Sequence, residues 1–406
     1  MMQIPPLEAF YAAHDAGRIM MDTDPTGRLV CFKYTEETAA KADWDAVTLH
    51  ARGIVFEKAT GNIVAKPFHK FFNFHELFAD GDMPTKTRKA LADAGLPYQP
   101  GGKMKYVFEK IDGSLGIAYF YDGEWYVNTP GNFTSPQALF ATQWLREHLA
   151  EARKKHPNAN ILDPEFTHLF EITWSKDKHP ITYEKDELVL LALINKRTGI
   201  EMMARGLMCE LSYDLLGSRM PKFFEFDTLD DIAEECKTLP SNKEGFVVTW
   251  ENGFKLKMKG AAYLRLLSFY TNCTDWNIWH AYDPVLNIFH AHMDEKHNYQ
   301  FIDDEPLVIP EELMDIRHKL EMYRVTFFEN LDYIIASGDF IKITVKDMKD
   351  RAIYIKEHFE EKYQAPLLAY VSPKCNMDYV KKLVNKCMMR PETGTDGFNT
   401  YFGYKE

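Results

Sequence analysis

The chain has 406 residues, 46% of them apolar and 27% charged, and carries a formal net charge of −12. That length is more than one ordinary core organises, so two domains are expected, and no apolar run approaches the roughly 18 residues that a membrane-spanning helix needs. The acidic balance argues against a uniformly basic, nucleic-acid-coating protein but leaves room for a local basic groove.

In chain order, residues 27–73 read as short strands in GRLVCFKY, ARGIVFEK and GNIVAKPF, with Ala59-Thr60-Gly61-Asn62 as a hairpin turn. A short helix is expected over 85–94. Strands over 105–111 and 114–121 flank Asp112-Gly113, which reads as a hairpin dipeptide, and Asp122-Gly123 marks a second turn. Ser135 followed by Pro136 has the form of a helix start, and Phe140, Trp144, His148 and Ala152 recur four apart on the helix that follows. Strands are expected again at 167–174, 187–195 and 244–259, with helices at about 206–216 and 228–237 between them.

From about 260 to 389 the pattern turns helical. Its clearest element is 310–335, where Leu313, Ile316, Leu320, Tyr323, Phe327, Leu331 and Ile334 keep a three-four rhythm after Pro310. The last stretch, RPETGTDGFNTYFGYKE, has no helical period and reads as a tail. The expected fold class is therefore α+β: a domain of antiparallel sheets with flanking helices over 1–262, then an all-α domain over 263–406.

Cysteines 31, 209, 236, 273, 375 and 387 form no C-x-x-C pair, which argues against a zinc site or a disulfide framework and fits reduced thiols in a cytosolic protein. The N-terminal stretch MMQIPPLEAFYAAHDAG has no basic region before an apolar one, so a cytoplasmic location is expected.

Four segments carry side chains that could do chemistry. In YVFEKIDGSLGIAYFYDG (106–123), Lys110 is either a solvated lysine flanking a turn or a covalent nucleophile toward phosphorus. The second role needs an amine that loses its proton near neutral pH, through desolvation or nearby cations, and a glycine beside it for close backbone approach. In KEGFVVTWENGFKLKMKG (243–260), Phe254, Leu256 and Met258 alternate with Lys255, Lys257 and Lys259. This is either a lysine-protected edge strand or the lining of a cleft, and in a cleft its positive field would lower the pKa of a neighbouring amine. In ARGIVFEKATGNIVAKPFHKFFNFHE (51–76), Arg52 and Lys70 accompany aromatic residues, either as a surface strip or as a stacking and phosphate-binding surface. Glu171, in HLFEITW, and Glu244 stand at apolar strands; with Asp112 they could instead hold a hydrated Mg²⁺.

Six elements occur in order: Arg52-Gly53, Lys70-Phe71-Phe72-Asn73, Lys110-Ile111-Asp112-Gly113-Ser114, Phe170-Glu171, Glu244-Gly245-Phe246-Val247 and Lys255-Leu256-Lys257. Together they resemble the motifs of covalent nucleotidyltransferases, and most closely the phage-type RNA ligase 1 family, ATP-dependent enzymes that repair broken tRNA anticodon loops. The resemblance covers about residues 30–260. It implies that Lys110 attacks the α-phosphate of ATP to give lysyl-AMP, that the AMP passes to an RNA 5′-phosphate, and that a 3′-hydroxyl then displaces it. Lys255 and Lys257 would act catalytically on the α-phosphate. Arg52, Lys70, Phe72, Glu109, Ile111, Gly113 and Val247 would bind the nucleotide, Arg52 and Lys70 holding its polyphosphate and Val247 packing under adenine. Asp112, Glu171 and Glu244 would organise Mg²⁺, with Mn²⁺ as an alternative.

The implied partners are RNA ends, tRNA anticodon loops and a separate polynucleotide kinase-phosphatase, with no membrane and a monomeric state. A phage-encoded chain would work in the host cytoplasm. One departure is Pro130, where the family commonly has a lysine before the glycine that is here Gly131.

Basic residues on the C-terminal helices, among them Lys342, Lys346, Lys349, Arg351, Lys381 and Lys382, are open to two readings: a solvated helical face or a surface for tRNA preference. Two other functions remain open. A DNA ligase or capping-type nucleotidyltransferase uses the same lysine but generally appends a β-barrel where this chain turns helical. A nucleic-acid-binding module without chemistry would have no need of the lysine and carboxylates together.

Overall fold

The computed structural model describes residues 4–78, 81–177, 179–203, 214–272, 278–279, 282–289 and 313–388. The chain divides into two compact units, Met1–Arg265 and Leu266–Glu406. The first is α+β and the second is built from helices.

Three sheets make up the first unit. The first has the order β1 (Ile19–Thr23), β2 (Leu29–Tyr34), β3 (Arg52–Glu57) and β4 (Ile63–Ala65), all antiparallel. The helix Leu7–Asp15 covers one face of it through Leu7, Phe10 and Ala13, which pack on Phe32, Ile54 and Phe56.

The second sheet has the order β12 (Phe223–Phe224), β6 (Met104–Glu109), β13 (Gly245–Trp250), β14 (Lys255–Lys259) and β5 (Phe72–Asn73). The β13–β14 hairpin turns through Glu251-Asn252-Gly253, and only the β14–β5 pair is parallel. Helices Thr85–Asp93 and Leu229–Thr238 cover one face through Leu91, Ile232 and Cys236.

The third sheet has the order β11 (Glu201–Met203), β10 (Glu187–Asn195), β9 (Phe166–Thr173), β7 (Ser114–Tyr121) and β8 (Glu124–Asn128). Its outer face is covered by the helix Pro136–Lys155. Ser135 caps that helix by accepting from the Ala138 N–H, and Trp144, Leu145 and Leu149 bury against Phe170 and Ile172. Burying each such side chain stabilises the unit by about 1.5–3 kcal/mol.

The sheet assignment corrects one sequence expectation. Asp112-Gly113 is not a hairpin turn: β6 lies in the second sheet and β7 in the third. β6 takes β13 as its neighbour, with Val248 opposite Val107, because both strands have an apolar face for the same helix-covered core. Residues 110–113 therefore cross from one sheet to the other. Asp122-Gly123 is a true hairpin turn between β7 and β8, with both residues at positive φ (51° and 85°), the type I′ pattern.

In the second unit the expected long helix extends over Met314–Thr344, with Leu320, Tyr323, Phe327, Leu331 and Ile334 buried along one stripe. Helices Met348–His358, Glu361–Val371 and Met377–Cys387 pack on it. The one departure from an all-α reading among the described residues is a ribbon of two short strands, Tyr282–Asp283 and Ile288–Phe289. Most of the expected helix at 206–216, and the whole of the C-terminal tail, lie outside the described residues. Among the described residues no helix is long and apolar enough to cross a membrane.

Candidate active site

The faces of the second and third sheets opposite their covering helices bound a cavity of about 230 Å³. Strand alternation selects what enters it. On β14, Leu256 and Met258 join the helix-covered core while Lys255 and Lys257 face the cavity; on β13, opposite them, Val247 does the same. From the third sheet come Leu115, Glu171 and Leu191, and from the first sheet and the loop after it Arg52, Phe68 and Phe71. Glu109, Lys110, Ile111 and Gly113 complete the wall, at the chain's passage between sheets. Nine of the thirteen residues expected from the sequence thus line one cavity: Arg52, Glu109, Lys110, Ile111, Gly113, Glu171, Val247, Lys255 and Lys257.

The other four lie beside it. Phe72 is buried in the core under the second sheet, 5.7 Å from the Trp44 ring, because β5 sets it level with Leu256; the preceding Phe71 faces the cavity instead. Lys70 is buried, pairs with Glu76 at 3.1 Å and lies over the Phe72 ring. Asp112 accepts from the Tyr263 hydroxyl (3.0 Å) and the Ile181 N–H (3.1 Å), and pairs with His179 Nδ1 at 3.3 Å. Glu244 is held between two amines, Lys110 Nζ at 2.8 Å and Lys259 Nζ at 3.0 Å.

The loop carrying Lys110 is fixed at both ends. The Lys110 N–H donates to Gly245 O (2.8 Å), the Asp112 N–H donates to Tyr183 Oη (2.9 Å), and the Ser114 hydroxyl donates to Asp177 (2.7 Å), which also pairs with His179. Gly113 passes directly over β9: a Cβ there would stand 2.5 Å from the Ile172 carbonyl oxygen. Gly113→Ala is accordingly expected to destabilise the unit by about 1–3 kcal/mol and to displace Lys110. Thermal melting beside a measurement of Lys110 reactivity checks this, and an unchanged melting temperature would refute it.

Electrostatics divides the lysines into two kinds. Burial alone would lower the Lys110 pKa, but Glu244, Glu171 and Asp112 outweigh it, and the amine lies above its ordinary value. This corrects the expectation of a field-depressed nucleophile: the charges nearest Lys110 are carboxylates, so in the resting protein it is an ammonium. The depressed lysine is Lys257, which burial and the neighbouring Arg52, Lys70 and Lys110 push well below the usual range. No ion pair holds Lys257 among the described residues; its amine lies 4.7 Å from the centre of the Phe71 ring, with Arg52 at 5.0 Å from the same ring. Arg52 Nη1 is a buried donor with no hydrogen-bond partner among the described residues. Unpaired Arg52 and Lys257 make this wall ready for anionic oxygens.

Glu171 is the opposite case. Burial raises its pKa to about 7, with Glu244 and Asp112 adding to the effect and Lys110 and Arg52 opposing it. Relative to an ordinary value of 4.5, the sign is clear: the fold is not penalised below about pH 4.5 and loses stability as pH rises through about 7. Glu171→Gln, which mimics the neutral acid, is expected to match the parent near pH 4.5 and to exceed it by about 2–3 kcal/mol near pH 8.5. Chemical denaturation at the two pH values tests this, and an equal difference at both would overturn the assignment.

The carboxylates do not form a ready metal site. Among the described residues no group of three or more His, Cys, Asp or Glu side chains could hold a metal ion. Asp112 is occupied by His179, Tyr263 and the Ile181 N–H, and Glu244 by two lysines, so the expected Mg²⁺ ligand set is absent as a preformed cage.

His179, Tyr263, Tyr183 and Phe68 were not singled out from the sequence. Their contacts to residues 110–114 and to Lys255 arise across long stretches of chain, and no local periodicity marks them. At the departure noted above, Pro130-Gly131, the Lys33 side chain runs alongside: a Cβ on Gly131 would lie 3.1 Å from Lys33 Cδ.

A lysine held at the mouth of a cationic cleft between two sheets defines a nucleotidyltransferase-like arrangement. The sequence profile described as RNA ligase matches residues 50–263, more than half the chain and all thirteen expected site residues. The chain belongs to the RNA ligase family. It is 28% identical over 231 residues to a putative bifunctional polynucleotide kinase/RNA ligase of Autographa californica nuclear polyhedrosis virus, covering 54% of this chain and 31% of that protein. It is 28% identical over 200 residues to a putative RNA ligase of Thermovibrio ammonificans (48% and 46%). It is also 41% identical over 73 residues to RNA ligase 1 of bacteriophage TS2126 (18% and 16%). The chain thus spans less than half the length of these relatives.

Proposed function

We propose that this protein is an ATP-dependent RNA ligase that joins 5′-phosphate and 3′-hydroxyl RNA ends, with Lys110 as its nucleophile. The observation that carries the reading is the placement of Lys110, fixed at both ends of its loop, at a cavity lined by Arg52, Lys255 and Lys257. The cavity suits a nucleotide: apolar Phe68, Phe71, Val247 and Leu191 would take the base, and the cations its phosphates.

Lys110 must shed a proton before it attacks. The acceptor in direct reach is Glu244 Oε2, 2.8 Å away. Lys110 Nζ then bonds to the α-phosphorus of ATP, the bond from that phosphorus to the pyrophosphate oxygen breaks, and pyrophosphate leaves with the electron pair. Lys257 and Arg52 would meet the charge that develops on the non-bridging oxygens, where partly desolvated cations act most strongly. Transfer of AMP to an RNA 5′-phosphate restores the amine, and attack by a 3′-hydroxyl on the activated end seals the strand with AMP as leaving group. A divalent ion such as Mg²⁺ or Mn²⁺ would enter with the nucleotide's phosphates, since among the described residues no group of carboxylates forms a cage for it. Cleaved tRNA anticodon loops are the proposed substrates, the second unit the proposed source of tRNA preference, and a kinase-phosphatase activity the proposed supplier of the ends.

The test uses α-labelled ATP with the purified chain, followed by denaturation and by ligation of a 5′-phosphorylated RNA. The expected results are label retained on the protein and an ATP-dependent sealed product. Failure of the chain to take up label would overturn the reading.

A further inference from the structure

Beyond the cavity beside Lys110, the same sheet face continues into a second and larger one, of about 520 Å³. The register of the second sheet relates them. Phe108, Val247 and Lys257 form one row across β6, β13 and β14; Tyr106, Thr249 and Lys255 form the next, farther from Lys110. The larger cavity lies over this outer row, and Lys255 and Phe68 line both cavities.

Its wall holds three buried polar atoms with no hydrogen-bond partner among the described residues: His50 Nε2, Thr249 Oγ1 and Glu201 Oε1. His50 and Thr249 are only 3% and 5% exposed, so bulk water does not meet their hydrogen-bonding capacity. Buried polar atoms without partners cost about 1–3 kcal/mol each, which a ligand's own polar groups would recover. Lys66 and Lys255, each 5% exposed, add two buried amines, the second paired with Glu201 Oε2 at 2.6 Å. Tyr106 and Trp250 supply aromatic surface. The donor, acceptor, cation and ring surface together match one ligand chemistry: phosphate for the amines, sugar hydroxyl for the carboxylate oxygen, and base for the aromatic faces.

We propose that this outer cavity binds a ribonucleotide of the RNA strand, next to the nucleotide held at Lys110. The inference rests on the RNA-ligase reading for the identity of the strand, while the cavity and its unmatched atoms stand without it. His50 is held neutral, burial and Lys66 lowering its pKa to about 4, so at neutral pH its Nε2 suits a polar ligand atom without itself carrying charge.

The experiment measures binding of a 5′-phosphorylated oligoribonucleotide by fluorescence anisotropy, alongside label uptake from α-labelled ATP, in the parent, Thr249→Val and Lys66→Met. Thr249→Val keeps the shape of the side chain and guards against loss through misfolding. The expected result is RNA binding weakened about tenfold in both variants, with label uptake within about twofold of the parent. Unchanged RNA affinity in both variants overturns the proposal. Parallel loss of RNA binding and label uptake also overturns it, since the cavity would then belong to the ATP site. A parent that binds RNA but takes no label defeats the ligase reading alone.

Discussion

Lys110→Ala is expected to remove covalent labelling by ATP altogether, a loss of about a thousandfold or more, because no other group at the passage between sheets occupies that position. The fold should survive. The Lys110 side chain is 18% exposed, and its partner Glu244 keeps Lys259 at 3.0 Å. Lys110→Arg sharpens the test: arginine can retain the ion pair with Glu244 but has no amine that deprotonates under these conditions. It should melt close to the parent and take no label. An adduct that persists in either variant removes Lys110 from the mechanism. The raised pKa of Lys110 adds a kinetic expectation, since only the deprotonated fraction attacks: the rate of label uptake should rise with pH across the neutral range.

Glu244→Ala should produce the largest loss of stability. The Glu244 side chain is 2% exposed and is the shared counterion of two partly buried amines, at 18% and 17% exposure. Removing it leaves both cations facing one another in a poorly solvated space, which costs about 3–5 kcal/mol in comparable buried pairs. The Lys110 pKa lies above 10.5 in the fold, so its contribution is fully present below that value and is lost only as pH rises through the folded pKa. The destabilisation should therefore stay nearly constant from pH 6 to 9. Denaturant midpoints across that range test this, and a loss that disappears at pH 6 would contradict the pairing. Glu244→Gln keeps the volume and separates packing from charge. In that variant the Lys110 amine should titrate lower, as competitive acylation against pH can measure. An unmoved Lys110 titration would mean that Glu244 does not set the amine's protonation.

Much of this site was legible from residue order. The alternation of Lys255, Lys257 and Lys259 with Phe254, Leu256 and Met258 specified a strand with one apolar and one cationic face, because successive side chains on a strand point to opposite sides. Ser135-Pro136 and the four-residue spacing of Phe140, Trp144, His148 and Ala152 likewise specified the helix that covers the third sheet. Phe72 shows where a motif is insufficient. Phe71 and Phe72 are equivalent in composition, and only the pairing of β5 with β14 decides that Phe71 faces the cavity and Phe72 the core.

The sequence by itself determined the α+β class and the helical character of the second unit, since these follow from local periodicity, while the candidate site residues rest on the resemblance carried by the six ordered motifs. Tertiary structure alone decided that Asp112-Gly113 crosses between sheets instead of closing a hairpin, because strand partnership depends on which cores the faces of β6 and β7 bury. It also decided the charge state of Lys110. The lysine-rich sequence around it suggested a depressed amine, but protonation is set by the nearest charges in space, and those are Glu244 at 2.8 Å with Glu171 and Asp112 behind it.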